Sequence, residues 1–387
     1  MKDVSRVFGS LGTTVFEVMS GLAREHASIN LGQGFPDGNG PDDVRAAAHE
    51  ALDDRPNQYP PMMGVPELRQ AVAAHNKRFY GLDVDWATET LVTSGATEAL
   101  AACLFGLIEP GDEAVLIEPL YDSYLPIVRR AGATPKLVRI EPPDWRLDEA
   151  ALRAAFSDKT KLILFNTPMN PAAKVFTADE LGLIAELCIA HDAFAVADEV
   201  YEHLTFDDRR HIPIMTLPGM RERTARIGSA GKTFSLTGWK VGYITAAAEM
   251  LTPVTKAHQF LTFTTPPNLQ RATAYGLGKD DAYFDGLAAS MQRSRDRFAD
   301  GLRTLGFEVI DCAGTYFITV DIRSAGFNGG DVDFCKTLTT DAGVTAVPVS
   351  AFYGDDPPTN FARFSFCKED MTLDEAIRRM TAYFGRG

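Results

Sequence analysis

From about residue 90 onward, short runs that are apolar at both odd and even positions alternate with longer stretches of helical periodicity. Thr90–Thr93, Ala114–Ile117, Lys161–Phe165 and Phe194–Ala197 are such runs. A strand with one wet face alternates apolar and polar residues, so a run without that alternation predicts a strand covered on both faces. Strands of this kind separated by helices predict βα units feeding a largely parallel sheet, an α/β fold. Between two of them, Thr177 followed by Glu180 predicts a capping box that opens a helix through Leu181, Ile184, Leu187 and Cys188.

Past about residue 275 the rhythm changes. A charged amphipathic stretch from Met291 to Leu305 precedes a strand-like run, Tyr316–Val320. A helix is expected near 331–341, short strands near 344–349 and 361–366, and a last helix opened by Thr372 and Glu375. This is an α+β unit. The first 40 residues lack the βα rhythm and read as an arm plus turns. No flexible Gly/Ser linker separates the units, which are therefore expected to pack tightly.

Composition narrows the partners. Lys and Arg number 38 against 52 Asp and Glu, a net charge of −14, so no affinity for nucleic acid or an anionic membrane is expected. With 45% hydrophobic and 10% aromatic residues the chain can bury a core. Cys103, Cys188, Cys312, Cys335 and Cys367 form no CxxC pair and no grouping with histidine, so no metal is expected, and unclustered thiols point to a reduced, cytoplasmic setting. Gly9, Gly12, Thr13, Thr14 and Glu17 break any apolar core of a signal peptide, and no apolar run approaches a membrane span. No G-x-S-x-G and no H-E-x-x-H occurs.

The most informative segment runs from Ile227 through Ser229, Gly231-Lys232-Thr233 and Thr237-Gly238-Trp239-Lys240 to Gly242-Tyr243. Gly231-Lys232-Thr233 invites a phosphate-loop reading, but that loop needs glycine five residues before Gly231, where Arg226 stands. The segment closely resembles the lysine motif of fold type I, class I/II aminotransferases, which depend on pyridoxal 5'-phosphate. It is most similar to the branch of kynurenine, glutamine and methionine aminotransferases, and also to N-succinyldiaminopimelate aminotransferases. The likeness extends from about Phe16 to Lys368.

The resemblance implies a large domain at 41–275 with a mostly parallel sheet covered by helices. A smaller α+β domain would combine the arm, 1–40, with 276–387. It also implies roles. Lys232 would hold the cofactor as a Schiff base and later act as base on the substrate's α-carbon. Asp198, ending a strand, would keep the ring nitrogen protonated, and Tyr201 and Asn170 would meet the phenolic oxygen. Gly95, Ala96 and Thr97 would bind the phosphate at a helix N-terminus, joined by Ser229 and Lys240. Tyr121 would stack on the pyridine face, and Tyr59 would reach the cofactor of the neighbouring subunit in a homodimer with a shared site. Arg363, on the strand face opposite Phe364, would take the α-carboxylate. Gly34, in the turn Leu31–Asp37, would meet the substrate, as would Asn170. Phe16 would line the side-chain pocket, and Phe263 would contribute to it from the segment Leu261–Pro266. As a dinucleotide fingerprint the same turn fails, because Pro36 intervenes and no strand–helix context follows. The family carries glycine where this chain has Ala173, which is expected to alter the loop's φ or narrow the pocket.

The expected reaction is transfer of an amino group from an L-amino acid to a 2-oxo acid through a pyridoxamine form. Methionine or another neutral or aromatic donor is favoured. Thr97 stands where some kynurenine enzymes carry an aromatic, which argues against a strictly aromatic preference. Succinyl-diaminopimelate transamination and β-elimination from cysteine conjugates are the alternatives on the same scaffold. A non-enzymatic pyridoxal-phosphate sensor would need a partner or DNA-binding module, and none is apparent.

Overall fold

The runs apolar at every position become strands of one seven-stranded sheet. The computed structural model describes residues 2–385. In chain order the strands are β1 (Thr90–Thr93), β2 (Glu113–Glu118), β3 (Thr134–Arg139), β4 (Thr160–Asn166), β5 (Phe194–Asp198), β6 (Thr224–Ser229) and β7 (Gly242–Thr245). Their spatial order is β1-β7-β6-β5-β4-β2-β3. β7 runs antiparallel to β1 and β6, and the remaining pairs are parallel.

Side chains of β4 and β5 alternate between two cores. Leu162, Leu164 and Val196 join the cluster that contains Leu100, Leu104 and Ile227. Ile163, Phe165, Ala195 and Ala197 join the other, with Leu181, Ile184 and Phe176. Each fully buried Leu, Ile or Phe contributes roughly 1.5–3 kcal/mol over an exposed one, so a register slip is costly on both faces. The helix Ala178–Ala190 covers the second face, and its capping box is complete: Glu180 N–H donates to Thr177 Oγ1 at 3.2 Å, and Thr177 N–H to Glu180 Oε2 at 2.9 Å.

The C-terminal part carries an antiparallel sheet in the order Val347–Pro348, Phe361–Ser365, Phe317–Asp321, Glu308–Val309. The charged stretch is the second half of a longer helix, Asp281–Thr304, whose start is fixed by Asp280 accepting from the Tyr283 N–H. The helix near 331–341 is an α-helix, Asp331–Thr337, continued by a π turn, Leu338–Ala342. The last helix begins at Asp370, after an extended Glu369, so Thr372 lies inside its first turn and does not cap it.

The largest departure from the sequence reading is at the start. Val15–Glu25 is an eleven-residue helix capped by Thr14, where an arm with turns was expected. It buries Met19, Ser20 and Ala23. Next to it Ile29–Asn30 pairs in parallel with Val344–Thr345, which ties the arm to the C-terminal part. Among the described residues no helix is long and apolar enough to cross a membrane. The five cysteines are buried and unpaired.

Candidate active site

Parallel strands end at one edge of the sheet, and the crevice beyond their carboxyl ends is where α/β folds bind ligands. Asn166 and Asp198 are register partners at the ends of β4 and β5, and Ser229 ends β6. They border a cavity of about 400 Å³. Of the residues singled out in the sequence, Phe16, Gly34, Gly95, Ala96, Thr97, Tyr121, Asn170, Asp198, Tyr201, Ser229, Lys232, Lys240 and Arg363 all line it.

Asp198 is 5% exposed. Its Oδ2 accepts from the Tyr124 hydroxyl at 2.5 Å, and its Oδ1 has no partner. Burial pushes Asp198 up to about 6, opposed by the Tyr124 hydrogen bond. The turn after it is held by a buried cation. Arg226 is the residue that excludes the phosphate loop, and its side chain lies on the β6 face opposite Ile227. It donates through Nε to Glu199 at 2.5 Å, through Nη2 to Glu202, and through Nη1 to Asn76 at 2.8 Å. Glu199 and Glu202 bracket Tyr201, so the two ion pairs fix the segment that brings Tyr201 to the cavity. His75 and His203 lie beside Glu202, but its Oε2 is already taken by Arg226 and the Tyr80 hydroxyl.

Lys232 follows β6 in a short helix, Ala230–Thr233, and its exposed part faces the cavity. Burial brings its ammonium down to about 8. At the same cavity the helix Gly95–Leu107 opens with no side-chain cap, leaving first-turn N–H groups free. Gly95 has φ +78°, which suits glycine, and a Cβ there would come within 3.4 Å of Lys240 Nζ. Helix N-terminus, Ser229 and Lys240 thus converge on one side of the cavity.

Arg363 is 1% exposed and, among the described residues, has no carboxylate within salt-bridge distance. It donates to Asn170 Oδ1 at 2.7 Å and to the Gly32 carbonyl at 2.6 Å, and its Nε is unpaired. Its guanidinium sits 3.9 Å over the Phe317 ring and 5.4 Å from that of Phe16. Burial lowers it to about 10. As the alternation predicted, Phe364 points the other way, edge-on to Phe298. A dry cation short of an anion is built to accept one.

Asn170 is fixed by its N–H donating to Asn166 Oδ1 at 2.7 Å. In the loop that follows, Ala173 takes φ +56°, the left-handed conformation that a glycine would adopt freely. Its carbonyl accepts from the N–H groups of Ala313 and Gly314, both at 2.9 Å. It is buried and does not line the cavity, so the pocket is not narrowed there.

Two residues lie elsewhere. Tyr59 is 82% exposed, with its ring 5.4 Å from that of Phe263. Phe263, expected at the side-chain pocket, follows the helix Ala248–Leu261, is 40% exposed and is not among the lining residues of this cavity within its own chain. The sequence reading assigned no role to Tyr124, Asn166, Asp122 or Tyr316. Tyr124 has a visible signal, an aromatic three residues beyond Tyr121. Tyr316 has none, since it precedes a strand like any core residue.

Residues 27–380 match the family model described as Aminotransferase class I and II. The solved structure of N-succinyldiaminopimelate aminotransferase from Mycobacterium tuberculosis superposes with a TM-score of 0.95 at 45% identity, covering 98% of this chain and 100% of that one. Methionine aminotransferase of Escherichia coli is 39% identical over 370 residues, 96% of each protein. A human kynurenine–oxoglutarate transaminase is 37% identical over 394 residues, 92% of this chain and 93% of its own length.

Proposed function

The chain belongs to the class I and II aminotransferases, and we propose that its cavity takes a neutral amino acid as amino donor, methionine or another neutral or aromatic one, with Lys232 as the amine that engages the cofactor. The enzyme is a pyridoxal 5'-phosphate-dependent aminotransferase working between an amino acid and a 2-oxo acid.

The residues present fit that cofactor. The unpaired Asp198 Oδ1 is an acceptor for a ring N–H. The uncapped helix start, Ser229 and Lys240 suit a phosphate dianion. When bound, the cofactor supplies an aldehyde for Schiff-base formation and an electron-withdrawing ring. The protein's own residues do the rest. Asp198 keeps a proton on the ring nitrogen, and Tyr201 and Asn170 serve the phenolic oxygen. Tyr121 covers the ring. Arg363 grips the α-carboxylate, with Gly34 in the turn beside it. Lys232, its amine depressed to about 8, is neutral in a useful fraction near neutral pH and takes the α-proton.

One observation carries the substrate reading. Lys232, Lys240 and Arg363 are the cations among the described lining residues, each already has a task, and the remaining charges are those of Asp198 and Asp122. No cation remains for a second carboxylate, which favours a neutral side chain beside Phe16. Similarity to methionine aminotransferase supports this. The 45% identity to the Mycobacterium tuberculosis protein supports a second reading, N-succinyldiaminopimelate as substrate. A donor panel with excess 2-oxo acid decides: turnover of methionine and other neutral amino acids is expected, and turnover confined to succinyl-diaminopimelate contradicts it. Pyruvate and ammonia formed from a cysteine conjugate without an acceptor would indicate β-elimination.

The working unit in this reading is a cytoplasmic homodimer, with Tyr59 reaching the neighbouring subunit's site. The exposed ring of Tyr59 and that of Phe260, 84% exposed, support a partner surface there, and five unpaired cysteines support a reducing compartment. An active monomer in sedimentation would remove the shared site. The large domain is taken as 41–275 and the small one as 276–387 with the arm 1–40, a division supported by where the two main sheets lie.

A further inference from the structure

Lys232 has a hydrogen-bond partner outside the proposed cofactor set. Its Nζ donates to Tyr316 Oη at 2.9 Å, and the same hydroxyl donates to the Gly34 carbonyl at 2.6 Å. Tyr316 is 2% exposed, with its ring edge-on to Tyr201 at 5.3 Å and to Phe317 at 4.8 Å. Burial first, and then the neighbouring Tyr201, hold its hydroxyl well above the ordinary range, so it remains a neutral phenol. A phenol has one hydrogen, and here it is committed to Gly34, which leaves the oxygen facing Lys232 only as an acceptor. The turn it touches also supplies the Gly32 carbonyl to Arg363. The carboxylate-binding arginine, the substrate turn and the lysine are thereby linked through one buried hydroxyl.

We propose that Tyr316 is a positioning residue for the unengaged amine of Lys232, holding Nζ at a defined resting place tied to the substrate turn. This deepens the reading of Lys232 as the cofactor's amine and rests on it. When an amino donor or a 2-oxo acid occupies the site the lysine amine is not engaged by the cofactor, and it must be aimed at the position of the α-proton. A lysine side chain has many rotamers, and a buried acceptor selects among them.

The charged and titratable groups facing Lys232 are Cys367 and Asp198, which favour its charged form, and Arg363 and Lys240, which oppose it. The ring of Tyr201 lies 5.5 Å from Nζ. A phenol oxygen stabilises an ammonium more than an amine, so its loss lowers the amine's pKa further.

The test is Tyr316→Phe, which keeps the ring and removes the oxygen. The cofactor-free enzyme is mixed with pyridoxal 5'-phosphate across a pH series, and the rate of covalent incorporation is followed by absorbance, alongside kcat and KM. Incorporation needs the neutral amine, so its rate rises through the lysine's pKa. The variant's midpoint should move down by about one pH unit. Its kcat should fall roughly tenfold or more, with KM for the donor little changed. An unshifted midpoint overturns the proposal, including where the variant only melts at a lower temperature, since a mere brace would lower stability without moving the midpoint. Lys232→Ala, run in parallel, separates the two claims. Covalent incorporation into that variant would refute the lysine assignment itself, whereas its loss there beside an unshifted Tyr316→Phe refutes only the role of Tyr316.

Discussion

Tyr124 donates its hydroxyl hydrogen to Asp198 Oδ2 at 2.5 Å, while the equally enclosed Oδ1 of the same carboxylate has no partner. A buried carboxylate left half-satisfied is a cost the fold bears for a ligand. Asp198 is raised from 3.8 to about 6, so its contribution to stability is complete below the lower value and is lost as pH rises through about 6. Asp198→Asn removes that charge. The cofactor-free variant should be more stable than the wild type at pH 8 by about 1 kcal/mol or more, and the gap should close toward pH 4. Its turnover should fall at least about a hundredfold while cofactor is retained, because an amide does not hold a proton on the ring nitrogen. Thermal unfolding at both pH values together with kcat checks this, and unchanged turnover would exclude Asp198 as the ring partner.

Arg363→Lys keeps the charge but loses the fork that reaches Asn170 and Gly32 while facing the cavity. The expected result is a fall in kcat/KM for every amino donor of about a hundredfold or more, equivalent to roughly 3 kcal/mol. Steady-state kinetics over the donor panel checks this, and a loss confined to one donor would place the arginine at the side-chain pocket instead.

Gly242→Ala should act on the cofactor from behind. A Cβ on Gly242 would lie 2.6 Å from the Gly95 carbonyl carbon and 2.9 Å from the Ala96 nitrogen, both backbone atoms that cannot step aside. The helix start must shift, and the dissociation constant for pyridoxal 5'-phosphate should rise by about tenfold or more, on the order of 1.4 kcal/mol. Titration of the cofactor-free protein measures it, and an unchanged constant would remove the helix N-terminus from the phosphate site.

Ala173→Gly tests whether the left-handed φ is a burden. Relief of about 1–2 kcal/mol of strain is partly offset by about 0.5–1 kcal/mol of chain entropy that glycine loses on folding. The melting temperature should stay level or rise by a few degrees, with kcat unchanged. A clear loss of stability would mean that the methyl group's packing outweighs the backbone.

Much of this was readable from residue patterns, for identifiable reasons. A strand such as Leu162–Phe165 must be apolar at every position because each face meets a different core, and few other elements produce that pattern. Asp198 and Ser229 could be placed because parallel strands deliver their last residues to one edge. What escaped depends on partners distant in sequence. The helix Val15–Glu25 packs against segments more than 300 residues later, and the glycines before it suggest an arm. Tyr316 owes its place to Gly34 and Lys232, 282 and 84 residues away, and nothing local marks it. The place of Phe263 against the ring of Tyr59, on the surface after Ala248–Leu261, likewise depends on a partner distant in sequence that its own segment does not reveal.

The central claim is that Lys232 is the amine engaged by the cofactor. The direct measurement is borohydride reduction of the enzyme with pyridoxal 5'-phosphate, which fixes the cofactor to its lysine, followed by peptide mass analysis. The predicted result is a pyridoxyl adduct on the peptide containing Lys232, absent from Lys232→Ala, with turnover lost in that variant. An adduct on a different lysine, or full turnover by Lys232→Ala, would contradict the assignment.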